Sequence, residues 1–74
     1  MPIFEPIDYT RHALQRMQER GIGRDDVELT LRIGEGRPGK QGTWIYELGK
    51  WRVITVELGE TARVITVVRL RGNA

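Results

Sequence analysis

Between Thr43 and Leu70 the sequence takes on the two-residue period of β-strands, and this stretch constrains the fold more than any other. "TWIYEL" (43–48), "WRVITVEL" (51–58) and "ARVITVVRL" (62–70) are rich in β-branched and aromatic residues and are separated by short glycine-bearing breaks. They predict three consecutive antiparallel strands. Gly49-Lys50 is a two-residue connection with glycine first, as a type II′ hairpin turn requires. Gly59-Glu60-Thr61 makes the second turn. The first hairpin sets Leu48 opposite Trp51, so Trp44, Tyr46, Leu48, Trp51, Val53 and Thr55 share one face. Ile45, Ile54, Val56 and Leu58 share the other with Glu47 and Arg52. The pentapeptide "RVITV" occurs twice, at 52–56 and 63–67. If the two copies keep step, Ile65 and Val67 join the aliphatic side, and Val64, Thr66 and Val68 the aromatic one. Both faces are then apolar, and two short helices can cover only one.

The N-terminal half has a different period. Thr10 is a suitable N-cap for a helix running to Arg20, with Gly21 as the residue that stops it. Ala13, Leu14 and Met17 fall on one side of that helix, the side to be buried. A second helix begins after Gly23, with Asp25 and Asp26 in the first turn where the helix dipole favours them. Its Val27 and Leu31 mark one stripe while Leu29 and Ile33 point elsewhere, as expected of a helix that is sandwiched or sits at an interface. "PIFEPI" (2–7) suits a short edge strand, since edges tolerate proline. "GEGRPGKQG" (34–42), with four glycines and a proline in nine residues, reads as a mobile loop. The fold class expected is α+β: two N-terminal helices packed on a three- to four-stranded antiparallel sheet, with a short N-terminal edge strand beside it.

Seventy-four residues make one domain, and one this small has a marginal core unless something supports it. The chain has no cysteine and one histidine, so neither disulfides nor a tetrahedral zinc site can supply that support. We therefore expect a homo-oligomer or a complex with a partner chain. No apolar run reaches the ~18 residues of a membrane span, and "MPIFEPIDYT" lacks the basic start of a signal peptide, so a cytoplasmic location without membrane contact is expected. The net charge of +2 says little about nucleic acid. Arginine strongly outnumbers lysine, which occurs only as Lys40 and Lys50. That balance favours bidentate phosphate contacts, although a GC-rich coding bias produces it equally well.

Few motifs carry chemistry. Gly34, Gly39 and Lys40 have the spacing of a phosphate-binding loop, but a helix precedes them and a strand follows, and Gln41 replaces the magnesium-holding hydroxyl. The chain contains no serine, so with no cysteine and one histidine covalent catalysis is poorly served. Asp25 and Asp26 diverge by ~100° on a helix and are more simply first-turn charges. One row survives. His12, Arg16 and Arg20 recur at four-residue intervals and form a ridge flanking the apolar side of the first helix. A proton-exchanging ring beside two anion-binding guanidinium groups suits acid–base chemistry on a phosphate. It suits a structural brace as well, with the arginines bridging Asp8, Glu19 or the sheet.

The wording of this helix carries a resemblance. "HALQRMQERGIGRDDVELTL" resembles the opening signature of domain-of-unknown-function family 4258, a set of small bacterial proteins. That signature reads as a histidine, a small residue, an Arg-Met pair, an arginine and then a "gIs-x-x-D-V" segment. It falls here on His12, Ala13, Arg16-Met17, Arg20, Gly21-Ile22 and Asp26-Val27. The closing "RVITVVR" (63–69) is similar to the family's last strand, and the match spans nearly the whole chain. Gly23 departs from the pattern, which usually has a serine N-cap there. The family's layout is similar to that of RelE/ParE-like toxins, which implies an RNase-type module neutralised by an antitoxin protein.

The expected function is then a toxin-like RNA-binding domain able to act as a metal-independent endoribonuclease, with no cofactor. His12 would move the proton, Arg16 and Arg20 would clamp the phosphate, and Tyr46 is the candidate for the second proton-transfer role. Arg52 and Arg69 would contact RNA, and Trp44 or Trp51 would stack on a base. The competing expectation is a non-catalytic protein-interaction module. It would use the aromatic sheet face, Trp44, Tyr46 and Trp51, to bind a partner or a second copy.

Overall fold

The computed structural model describes residues 7–70. Its elements run β1 (Ile7–Tyr9), α1 (Arg11–Arg20), α2 (Arg24–Ile33), β2 (Glu35–Pro38), a 3-10 turn (Lys40–Gly42), β3 (Thr43–Leu48), β4 (Trp51–Leu58) and β5 (Thr61–Arg69). One sheet holds the strands in the order β1-β5-β4-β3-β2. Neighbours from β2 to β5 are antiparallel, whereas β1 pairs parallel to β5 through Ile7–Ala62, Asp8–Arg63 and Tyr9–Val64. The class is α+β with both helices ahead of the main sheet, as the sequence predicts. The sheet itself differs: it has five strands and is mixed, not three- to four-stranded and antiparallel. Joining the first strand to the last in parallel needs a long crossover, which everything between them supplies. The edge strand expected over 2–7 lies outside the described residues except at Ile7, where β1 begins.

Both helices begin and end as their residues dictate. The Thr10 hydroxyl accepts from the Ala13 amide at 3.0 Å, capping α1. At the other end the Ile22 amide donates to the Met17 carbonyl at 3.0 Å, and the side chains of these two residues are both buried. Gly23 offers no side-chain cap to α2, and instead its amide donates to Asp26 Oδ2 at 3.4 Å. Val27, Thr30 and Leu31 form the buried side of α2, while Leu29 and Ile33 are exposed.

The helices cover the aromatic face of the sheet. Helix α1 packs on β5, and α2 on β3 and β4. Ala13, Met17, Val27 and Leu31 meet Tyr46, Val53, Val64 and Val67 in one core, with Ile7, Tyr9, Trp44 and Trp51 packed around it. The β3–β4 register is the one the hairpin predicts, with Leu48 opposite Trp51 and Tyr46 opposite Val53. Gly49 has φ 60° and Lys50 does not share a positive φ, in keeping with a type II′ turn.

Two expectations are corrected here. The two "RVITV" copies do not keep step, because Ile54 faces Thr66 while Thr55 faces Val64, leaving Ile65 as the extra residue of a bulge. Val67 is thereby turned into the core, and Thr66 and Val68 go to the open face. The segment 34–42 is not a loop throughout, since Glu35–Pro38 pairs with β3 from Glu35–Glu47 to Pro38–Trp44. Among the described residues, no helix is long and apolar enough to cross a membrane.

Candidate functional site

Helix α1 carries His12, Arg16 and Arg20 beside its buried residues, Ala13 and Met17. Each step of four residues turns ~40° about the helix axis. The row therefore drifts toward the sheet: His12 is exposed, and Arg16 and Arg20 are half-buried. Neither arginine reaches the sheet. Arg16 Nη1 donates to Glu19 Oε1 at 2.5 Å, and Arg20 Nη1 lies 3.6 Å from the same oxygen. Gln15 donates to the other carboxylate oxygen at 3.1 Å. The hydrogen bond from Arg16, with that from Gln15, holds the Glu19 carboxyl below the usual carboxylate range. Two guanidinium groups thus share one ionised carboxylate, and the cluster keeps a positive excess. Among the described residues His12 makes no hydrogen bond or ion pair. Asp8, the other carboxylate expected to hold this row, is taken by Arg63 at 3.3 Å.

The sheet residues lie elsewhere. Tyr46 is buried under the helices, and its hydroxyl donates to Glu57 Oε1 at 3.3 Å. Burial, with the adjoining Glu57 carboxylate, pushes its phenol up to about 12. Tyr46 thus stands in the core on β3, with its hydroxyl turned to Glu57 of β4. Trp44 and Trp51 are half-buried on the same covered face, and the Trp44 ring lies 6.5 Å from that of Tyr46. The three aromatics consequently do not form the open patch that an interaction module would present through them. Arg52 projects from the opposite face, where its Nε donates to Glu47 Oε2 at 2.6 Å. Arg69 is exposed at the end of β5, in register with Trp51, whose ring has Lys50 Nζ 5.6 Å from its centre.

Tyr9, at the end of β1, is a packing residue that neither periodicity nor spacing marks. Its ring packs against the core with the Arg24 guanidinium 5.1 Å from its centre. Burial, followed by the Glu28 carboxylate, raises its phenol above the ordinary tyrosine value. An aromatic residue directly before a helix N-cap is the sequence signal that could have marked it as packing there. Among the described residues no group of three or more His, Asp or Glu side chains is placed to hold a metal ion.

A comparison with curated proteins found no match. The match to a family model extends from Tyr9 at the end of β1 to Arg69 at the end of β5, and so takes in both helices and the row on α1. Over these residues, 9–69, the model is that of the domain of unknown function DUF4258, and the chain belongs to this family.

Proposed function

We propose that the domain is a toxin-like RNA-binding module, and that the row on α1 cleaves RNA without a metal as one half of a toxin–antitoxin pair. The observation that supports this reading is that, among the described residues, the row ties α1 to no other element. Arg16 and Arg20 bind only Glu19 on their own helix, and His12 has no partner among the described residues. Such exposed pairs within one helix contribute little to folding. The guanidinium groups are accessible to an anion that displaces Glu19.

In the proposed reaction the ribose 2′-oxygen attacks the adjacent phosphorus and the 5′-oxygen leaves. The products are a 2′,3′-cyclic phosphate and a 5′-hydroxyl. A base takes the 2′-hydroxyl proton, an acid protonates the leaving oxygen, and cations stabilise the five-coordinate phosphorus. Arg16 and Arg20 supply the planar donor forks for the phosphate oxygens, while His12, exposed beside them, takes the 2′-hydroxyl proton and solvent water protonates the leaving 5′-oxygen. Arg69, exposed on β5, adds a phosphate contact. Tyr46 drops out of the reacting set because its hydroxyl is buried against Glu57. A neutralising partner protein would act by covering the α1 row.

The test is binding and cleavage of a single-stranded RNA oligonucleotide by the purified chain over a range of salt. Binding should weaken with salt, and Arg16→Gln or Arg20→Gln should each flatten the log–log slope by about 0.7 for the lost phosphate contact. Fragments ending in cyclic phosphate should appear with the wild type. A chain that leaves the RNA unbound at low salt would overturn the reading.

A further inference from the structure

Both helices lie on one side of the sheet, and none of the described elements lies on the other. The register puts Ile54 at the centre of that open face, between Ile45 on β3 and Thr66 on β5. Val56 and Leu58 extend the aliphatic surface toward one end and Val68 toward the other, with Leu58 46% exposed. Charged residues of both signs ring this centre. Arg63 binds Asp8 at 3.3 Å, and Glu47 is held by Arg37 at 3.0 Å and Arg52 at 2.6 Å. Glu35, opposite Glu47 on β2, offsets the remaining charge.

We propose that this face is the contact surface for a second copy of the chain, stacked sheet on sheet. Charge is the first argument. The acidic and basic groups of the face are equal in number, Asp8, Glu35 and Glu47 against Arg37, Arg52 and Arg63, and all but Glu35 are joined in ion pairs. The face therefore does not attract a polyanion, and it does not repel its own copy. Area is the second. About half of the strand residues project from this face and each tiles ~33 Å², giving roughly 500 Å² per copy. Two copies bury about 1,000 Å², the size at which a specific interface becomes tenable. The exposed pair Leu29 and Ile33 on α2 is far too small to do the same. Stacking at the ~10 Å spacing of packed sheets would give each small, one-sided core a second apolar layer.

The experiment is sedimentation equilibrium of the full chain up to about 100 μM, a range that detects micromolar association. The variants are Ile54→Glu, Thr66→Arg and, as a control, Leu29→Glu. The wild type and Leu29→Glu should be dimers. Ile54→Glu and Thr66→Arg should be monomers with the wild-type far-ultraviolet circular dichroism. Should Ile54→Glu fail to fold, Thr66→Arg decides, because it replaces a half-buried polar residue on the same face. A wild type that stays monomeric, a dimer that survives Thr66→Arg, or one broken instead by Leu29→Glu would each overturn the proposal.

Discussion

Gly36 and Tyr46 face one another across the β2–β3 pair, and the Tyr46 ring lies where a side chain on residue 36 would stand. A Cβ built on Gly36 would be 2.8 Å from Cε2 of that ring. Because the ring is buried in the core, it cannot swing aside cheaply. Gly36→Ala is expected to destabilise the domain by about 1–3 kcal/mol, the usual range for overpacking. Chemical denaturation of the two proteins measures this, and an unchanged midpoint would show that the ring is free to move.

The same pair explains what could and could not be read in advance. Capping residues and two-residue turns act locally, so Thr10, Gly21 and Gly49-Lys50 announced α1 and the central hairpin. Strand β2 is invisible to propensity, because "EGRP" has no strand formers. It exists because Gly36 admits the Tyr46 ring and Arg37 reaches Glu47 across the sheet. Pro38 is tolerated because β2 is an edge strand. The bulge at Ile65 was hidden too, since the repeated "RVITV" argues for equal register and only pairing with β4 and the Thr10 contacts break it. For the candidate site, spacing showed the α1 row. It could not show that Glu19 takes both arginines, or that Tyr46 faces inward.

Thr10 ties α1 to that bulge. Its hydroxyl accepts from Ala13 and donates to the Ile65 carbonyl at 3.3 Å, while its amide donates to the Val64 carbonyl at 3.0 Å. Thr10→Ala removes the cap and leaves the Ile65 carbonyl short of a donor. The expected loss is about 1–2 kcal/mol. Thr10→Ser, which keeps the hydroxyl, should recover most of it, as thermal denaturation of both variants would show.

Alkaline stability should follow Tyr46. Its phenol is pushed up to about 12 by burial and the neighbouring Glu57 carboxylate. The unfolded chain ionises near the ordinary value of about 10. This contribution is therefore full below pH ~10 and is lost as pH rises through the folded value. Tyr46→Phe should flatten that decline in the melting temperature. At neutral pH it should lose about 1 kcal/mol with the hydrogen bond to Glu57. A decline of unchanged steepness in the variant would assign it to another group.

Acid stability has a counterpart in Glu47. The hydrogen bond from Arg37, then that from Arg52, holds its carboxyl below the usual range. A lowered folded value means that the contribution is present above the ordinary carboxylate pKa of about 4.3 and disappears as pH falls through the folded one. Glu47→Gln should leave a shallower acid limb in a plot of melting temperature against pH. Glu19, lowered by Arg16, adds to the same limb and should remain visible in that variant. An acid limb identical to the wild type would separate the Arg37–Glu47–Arg52 cluster from folding.

The α1 row offers the sharpest separation of function from scaffold. His12 is exposed and makes no polar contact among the described residues, so His12→Ala should change stability by no more than about 0.5 kcal/mol. Arg16→Lys keeps a cation near Glu19 in an exposed intrahelical pair and should be equally mild. Activity should respond quite differently. Loss of a general acid or base slows a reaction by ~10²–10⁴-fold. Lysine at position 16 keeps the charge but gives up the two-pronged donor that fits a phosphate, so RNA cleavage should fall while weak binding persists. Melting temperature and cleavage rate are to be measured on the same two preparations. Intact stability with lost cleavage places the chemistry on this helix. Wild-type cleavage rates in both variants would remove His12 and Arg16 from the reaction and leave the row as solvated surface.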